Sequence, residues 1–164
     1  MKTTFRTIVL GLGLALSLLA AGPVLAQTPV AADALSDPTL KSMLDGMGLE
    51  PKALSKGFLL AIKSGTWTFN VQVVLSPDKT KLGMNANLGL VSNAGVVPAA
   101  TWLTLLESNG DIDPSAFYFD KDQKKLYLHR SLDNIGLTPA RLRTQIDSFV
   151  ANIRDTSEIW KFAE

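Results

Sequence analysis

The chain has 164 residues, 46% of them hydrophobic and 19% charged, with a formal net charge of +1 and no cysteine. That charge balance lacks the basic excess of a nucleic-acid binder and the acidic excess of a disordered chain. Without cysteine there are no disulfides, no thiol catalysis and no thiolate metal site.

Lys2 and Arg6 precede an apolar stretch from Ile8 to Ala21, which runs into Gly22-Pro23-Val24-Leu25-Ala26. The stretch falls short of the roughly 20 apolar residues of a membrane-spanning helix. The small residues Val24 and Ala26 sit where a signal peptidase reads them. Residues 1–26 therefore read as a signal peptide cut between Ala26 and Gln27, and the protein as exported, either periplasmic or secreted. No cysteine follows the leader, which excludes a bacterial lipoprotein anchor. Removing Lys2 and Arg6 leaves fourteen basic against fifteen acidic residues, a net charge near −1. No later stretch is long and apolar enough to cross a membrane. Residues 27–37 read as a flexible linker with little to bury, and residues 38–164 as one folded domain.

In that domain Asp37-Pro38 opens a helix, with Asp37 as the expected cap and Pro38 at the first position. Leu40, Met43, Leu44 and Met47 share one face, and Gly48 ends the helix. A short strand runs from Phe58 to Lys63 and closes at Ser64-Gly65. From Thr66 to Leu75 the period is two, with Trp67, Phe69, Val71, Val73 and Leu75 on one face. After the Ser76–Lys79 turn, Leu82, Met84, Ala86, Leu88 and Leu90 alternate with Gly83, Asn85, Asn87 and Gly89, completing a hairpin. Helical spacing returns after Pro98, with Trp102, Leu105 and Leu106 facing one way, and ends at Ser108-Asn109-Gly110. Two strands follow, Ala116–Phe119 and Lys125–His129, around a polar turn. The last helix starts at Thr138-Pro139 and carries Leu142, Ile146, Phe149, Val150 and Ile153 as its stripe. Trp160 and Phe162 then pack back onto the domain. The sum is an α+β domain with an antiparallel sheet of about five strands, in the order helix, three strands, helix, two strands, helix.

Chemistry-bearing groupings are sparse. Asp111 and Asp113 resemble the start of a calcium loop, but Ala116 stands where that loop needs glycine. Phe117 to Phe119 occupy ligand positions, and Asp122 replaces the bidentate glutamate. His129 reads as a strand-end surface histidine with no serine or carboxylate partner by motif. Asp120, Asp122, Lys124 and Lys125 are a soluble hairpin tip. The Gly11/Gly13 pair lies in the leader and makes no phosphate loop. Trp67, Trp102 and Trp160 fall in apolar registers and read as core. No catalytic, cofactor or metal residue is expected, and no enzymatic activity.

The element order, with Leu105-Leu106-Glu107-Ser108-Asn109, Phe117-Tyr118-Phe119-Asp120, Leu126-Tyr127-Leu128-His129-Arg130 and Leu137-Thr138-Pro139-Ala140-Arg141-Leu142, resembles the type III secretion chaperone-like superfamily, the CesT (Tir chaperone) and YbjN-type proteins. The resemblance spans about residues 38–162. It implies a domain that dimerises and binds other proteins without chemistry of its own. Secretion chaperones of this fold are cytoplasmic and often acidic, and they hold an extended client segment against hydrophobic patches. The leader and the near-neutral charge depart from that pattern, so the YbjN-type proteins are the better match.

Two functions follow as expectations. The first is an exported, non-enzymatic module that binds a protein partner or an extended segment of one, since an antiparallel sheet with open edges accepts an added strand. The second is a binder of a small apolar ligand between sheet and helices, bordered by the glycine- and asparagine-bearing stretch from Gly83 to Gly89. A homodimer is also expected. The run from Val96 to Leu106 carries no charge, and Leu103 points away from Trp102 and Leu106, so Trp102, Leu103, Leu105 and Leu106 are the candidate interface.

Overall fold

The computed structural model describes residues 34–163. The leader, its cleavage site at Ala26 and Gln27, and most of the segment read as linker lie outside the described residues. The elements are α1 (Asp37–Gly46), β1 (Lys52–Ala53), β2 (Phe58–Ser64), β3 (Trp67–Leu75), β4 (Lys81–Leu90), α2 (Ala99–Asp111), β5 (Ser115–Asp120), β6 (Lys125–Asp133), α3 (Pro139–Asp155) and the short α4 (Ser157–Trp160). The strands form one antiparallel sheet in the order β1-β2-β3-β4-β6-β5. The expected α+β order holds. The sixth strand is β1, two residues too short to show a period.

One face of the sheet is the core. Leu60, Val71, Val73, Leu82, Met84 and Leu128 are fully buried there, and Leu40 and Leu44 of α1 with Leu142, Ile146, Phe149 and Ile153 of α3 close over them. Period two in the strands and period 3.6 in the helices put these residues on facing surfaces. This packing fills the space between sheet and helices, where the apolar-ligand reading needs a cavity.

Local chemistry sets the ends of α1. Its N-cap is Ser36, whose Oγ accepts from the Thr39 N–H at 3.4 Å, so Asp37 and Pro38 occupy the first two helical positions. The expected cap at Asp37 is thus one residue late. Ser36 is the residue whose hydroxyl reaches an unpaired N–H of the first turn. At the other end Gly48 takes φ +73°, its N–H bonding Asp45 O and that of Leu49 bonding Leu44 O. Glycine adopts this left-handed stop without a Cβ penalty. Ahead of the helix, Leu35 is buried, and the fully buried Asn134 amide donates to its carbonyl (3.0 Å) and to Lys79 O (2.8 Å).

Four other expectations change. In α2, Leu105 is buried and Trp102 half-buried, but Leu106 is 64% exposed, while Ser108 turns inward. The helix leans on β5 along the 102, 105, 108 line, which rotates Leu106 out. β6 extends to Asp133 because Lys81–Gly83 of β4 supply partners for residues 131–133, so His129 lies within the strand and not at its end. In β4 the register slips between Asn87 and Gly89, so Leu90 ends 43% exposed instead of continuing the buried alternation. Of the tryptophans, Trp160 is buried and Trp102 packs against the core. Trp67, at the strand end, is 45% exposed and stacks on Phe69.

Candidate protein-binding surfaces

The two edges of the sheet differ in what they leave unpaired. A strand edge exposes backbone N–H and C=O groups that invite another strand unless something blocks them. At β5 something does. The Asn109 side chain, from the last turns of α2, accepts from Phe117 N–H at 2.7 Å, and its amide nitrogen lies 3.5 Å from Phe117 O. One side chain thereby occupies both outward backbone groups of Phe117, at the middle of the strand. Two residues earlier, Ser115 N–H is taken by Ile112 O at 2.8 Å.

At the opposite edge β1 covers only Phe58 and Leu59 of β2. Ser64 and Trp67 close a two-residue hairpin, and paired residues alternate between bonded and non-bonded from there. Ser64, Ile62 and Leu60 therefore bond toward β3, which turns the backbone N–H and C=O of Ala61 and Lys63 outward. Among the described residues no strand covers them, and both side chains are exposed. This asymmetry was not legible from periodicity, which cannot say which strand is an edge. The Asn109 of the Leu-Leu-Glu-Ser-Asn run was the available signal for a sealed β5.

A second surface lies on α2. Leu103 and Leu106 are 58% and 64% exposed, beside Trp102, which packs against Phe119 and Phe162 at centroid distances of 5.5 and 5.7 Å. A small depression of about 160 Å³ between α2 and β5 is lined by Trp102, Leu105, Leu106, Phe117 and Tyr118. Of the four residues expected at an interface, Leu103 and Leu106 face solvent as an i, i+3 pair on one side of the helix and do not point apart as expected, Trp102 is divided, and Leu105 belongs to the core.

The third surface is the sheet face away from the helices. Its rows place Asn87, Tyr127 and Tyr118 side by side, then Leu59, Gln72, Asn85, His129 and Ala116. Tyr118 and Tyr127 stack at 5.1 Å, and His129 Nδ1 lies 2.8 Å from Asn85 Oδ1. Burial pushes the His129 imidazole below its ordinary value and both tyrosines above theirs. The polar partner of His129 is therefore an amide that neither titrates nor activates it, an arrangement unlike a general base with its orienting acid. Gly83 and Asn85 do border a cleft, of about 880 Å³, but on this face and not among the helices.

Other sequence candidates stay apart. Asp120 accepts from the N–H groups of Asp122 and Gln123 within its own turn, and the Gln123 N–H holds it below the usual carboxylate range. Among the described residues no cluster of three histidine, aspartate or glutamate side chains could hold a metal ion, Asp111 and Asp113 included. No described helix is long and apolar enough to cross a membrane.

An antiparallel sheet with α1 and α3 on one face and α2 beside one edge defines a chaperone-like, protein-binding α+β fold. The chain belongs to the Tir chaperone protein (CesT) family, whose model matches residues 40–157. The fold is similar to a chain of the ExsC–ExsE complex, at TM-score 0.55 and 15% identity, covering 76% of this chain and 92% of that one. It is similar to a chain of the HopA1–SchA chaperone–effector complex, at TM-score 0.53 and 14% identity, covering 76% and 91%. It is also similar to YbjN from E. coli, at TM-score 0.50 and 16% identity, covering 75% and 89%. No curated protein matches the chain in sequence.

Proposed function

We propose that the protein is an exported, non-enzymatic, YbjN-type interaction module that holds an extended segment of a partner protein. The observation that carries this reading is the contrast between the edges. Asn109 and Ile112 occupy the outward groups of Phe117 and the Ser115 N–H on β5, while β2 offers the outward N–H and C=O groups of Ala61 and Lys63. Strand addition gains backbone hydrogen bonds with little demand on partner sequence. Structures of this fold solved as complexes, ExsC–ExsE and HopA1–SchA, support a polypeptide partner. The three-part leader supports export. The exposed Leu103 and Leu106 support a homodimer through α2, an uncharged helix surface being a common site of association.

Ala61→Pro tests the reading. It deletes one outward N–H and leaves the β2–β3 ladder intact, because proline is tolerated at a strand edge. With the mature chain as bait on the native envelope fraction, the variant keeps its fold and loses the partner that the wild type captures. Equal capture by both would contradict strand addition at β2.

A further inference from the structure

The cleft on the uncovered sheet face has a polar floor and a cationic rim. Its floor is Gly83, Asn85, His129 and Ser131. Gly83 keeps the floor low: a Cβ there would stand 3.5 Å from His129 Cε1 and 3.6 Å from Val74 Cγ1, filling the cleft without clashing. Three lysines, Lys56, Lys79 and Lys81, line the cleft against a single carboxylate, Asp37. Lys81 is occupied by Asp133 at 2.5 Å, whereas Lys56 and Lys79 have no acidic partner within 4.0 Å among the described residues. Leu54, Val74 and Pro77 add apolar wall.

We infer that this cleft receives an acidic, extended stretch of polypeptide, its carboxylates meeting Lys56 and Lys79 and its apolar side chains resting on Leu54 and Val74. Charge selects the occupant. Two unpaired lysines outnumber the one lining carboxylate, Asp37, and the Asp78 carboxylate of the turn is taken by Ser76 Oγ and by the Thr80 N–H and hydroxyl, so the cleft favours an anion, with the field focused because the sheet forms one wall. Shape selects a chain over a compact molecule. A small ligand is held by surroundings that bury most of its surface, whereas this cleft opens along the sheet between the Leu54–Gly57 loop and the Ser76–Lys79 turn. The inference deepens the reading of the protein as a polypeptide binder and rests on it, since β2, whose outer edge that reading uses, starts from the same loop.

The test is fluorescence anisotropy on the full chain with three labelled peptides of equal length. One alternates glutamate with leucine and serine, the second carries glutamine at the glutamate positions, and the third lysine. The acidic peptide should bind best and weaken as salt rises. Lys56→Glu with Lys79→Glu should cut its affinity by about tenfold or more, as two contacts turn repulsive. The unfolding midpoint reports that the variant is folded. Gly83→Leu, which fills the floor, should weaken the acidic peptide without altering charge. Equal binding of the acidic and glutamine peptides, or an acidic affinity that survives the double reversal, would overturn the inference. The two readings fail separately. If all three peptides bind alike and Ala61→Pro abolishes them, the cleft assignment falls and strand addition stands. If only the acidic peptide binds and Ala61→Pro leaves it unchanged, the cleft stands and the edge does not.

Discussion

Arg130 Nε donates to Ser115 Oγ at 2.8 Å, across the register pair that joins β6 to β5. The arginine is 2% exposed and sits on the core face of the sheet. Its other donors reach Gln145 O and Oε1 at 3.2 and 3.0 Å and Ser148 Oγ at 3.4 Å, and its guanidinium lies 5.8 Å from the Phe149 ring centroid. All these partners are neutral. Burial holds the guanidinium below its ordinary pKa, with Asp113 pulling the other way. The charge thus ties α3 to the β5–β6 hairpin by hydrogen bonds and not by an ion pair.

Arg130→Ala should therefore cost about 3 kcal/mol, from an unfilled volume plus stranded acceptors on Gln145 and Ser115. Arg130→Met keeps most of the volume and removes a buried charge, so its cost should be smaller, about 1–2 kcal/mol. Urea unfolding of both variants checks the order. An alanine variant no worse than the methionine one would mean that the filled volume contributes little.

His129 gives a pH dependence with a definite sign. Its folded pKa is below its unfolded value, so the unfolded chain takes up the proton first. Stability from this group is present above the unfolded pKa of about 6.5 and declines as pH falls through it. His129→Gln, which keeps a polar contact to Asn85, should flatten the stability difference between pH 7.5 and 5.5. Identical slopes for wild type and variant would contradict the assignment.

Gly89 holds the C-terminal segment against the sheet. A Cβ there would lie 2.7 Å from the Ala163 carbonyl carbon, and the backbone stands at φ +151°. Gly89→Ala should dislodge Phe162 and Ala163 and cost about 1–3 kcal/mol through strain and lost packing. Limited proteolysis followed by mass analysis should find faster loss of the C-terminal residues. Unchanged cleavage would show that the segment can shift without penalty.

Assembly through α2 predicts a homodimer by light scattering at tens of micromolar. Leu103 is 58% exposed on one chain, so Leu103→Glu should leave the fold intact and return a monomer. A wild-type monomer, or a dimer untouched by the glutamate, would contradict this interface.

The elements with strong periods were legible from the sequence. The α3 stripe of Leu142, Ile146, Phe149, Val150 and Ile153 is buried as read, and the β3–β4 hairpin pairs in the expected register sense. Departures occur where tertiary pairing overrides pattern. β6 runs past His129 because β4 supplies partners, which no local signal announces. Arg130 shares the parity of Leu126 and Leu128, and that alternation was the available clue that an arginine could be buried. Leu106 reads as core on a helical wheel but is exposed, since α2 contacts the domain along a narrow stripe. The candidate surfaces were least visible. An edge is open or sealed according to which strand lies outermost and what a distant side chain such as Asn109 reaches.

The most direct measurement of the central claim is amide hydrogen exchange of the chain, alone and saturated with the partner it captures. Strand addition at β2 predicts slowed exchange at Ala61 and Lys63, whose N–H groups face outward, with little change at Phe117, already bonded to Asn109. Protection at Phe117, or none at Ala61 and Lys63 in the saturated complex, would contradict the account.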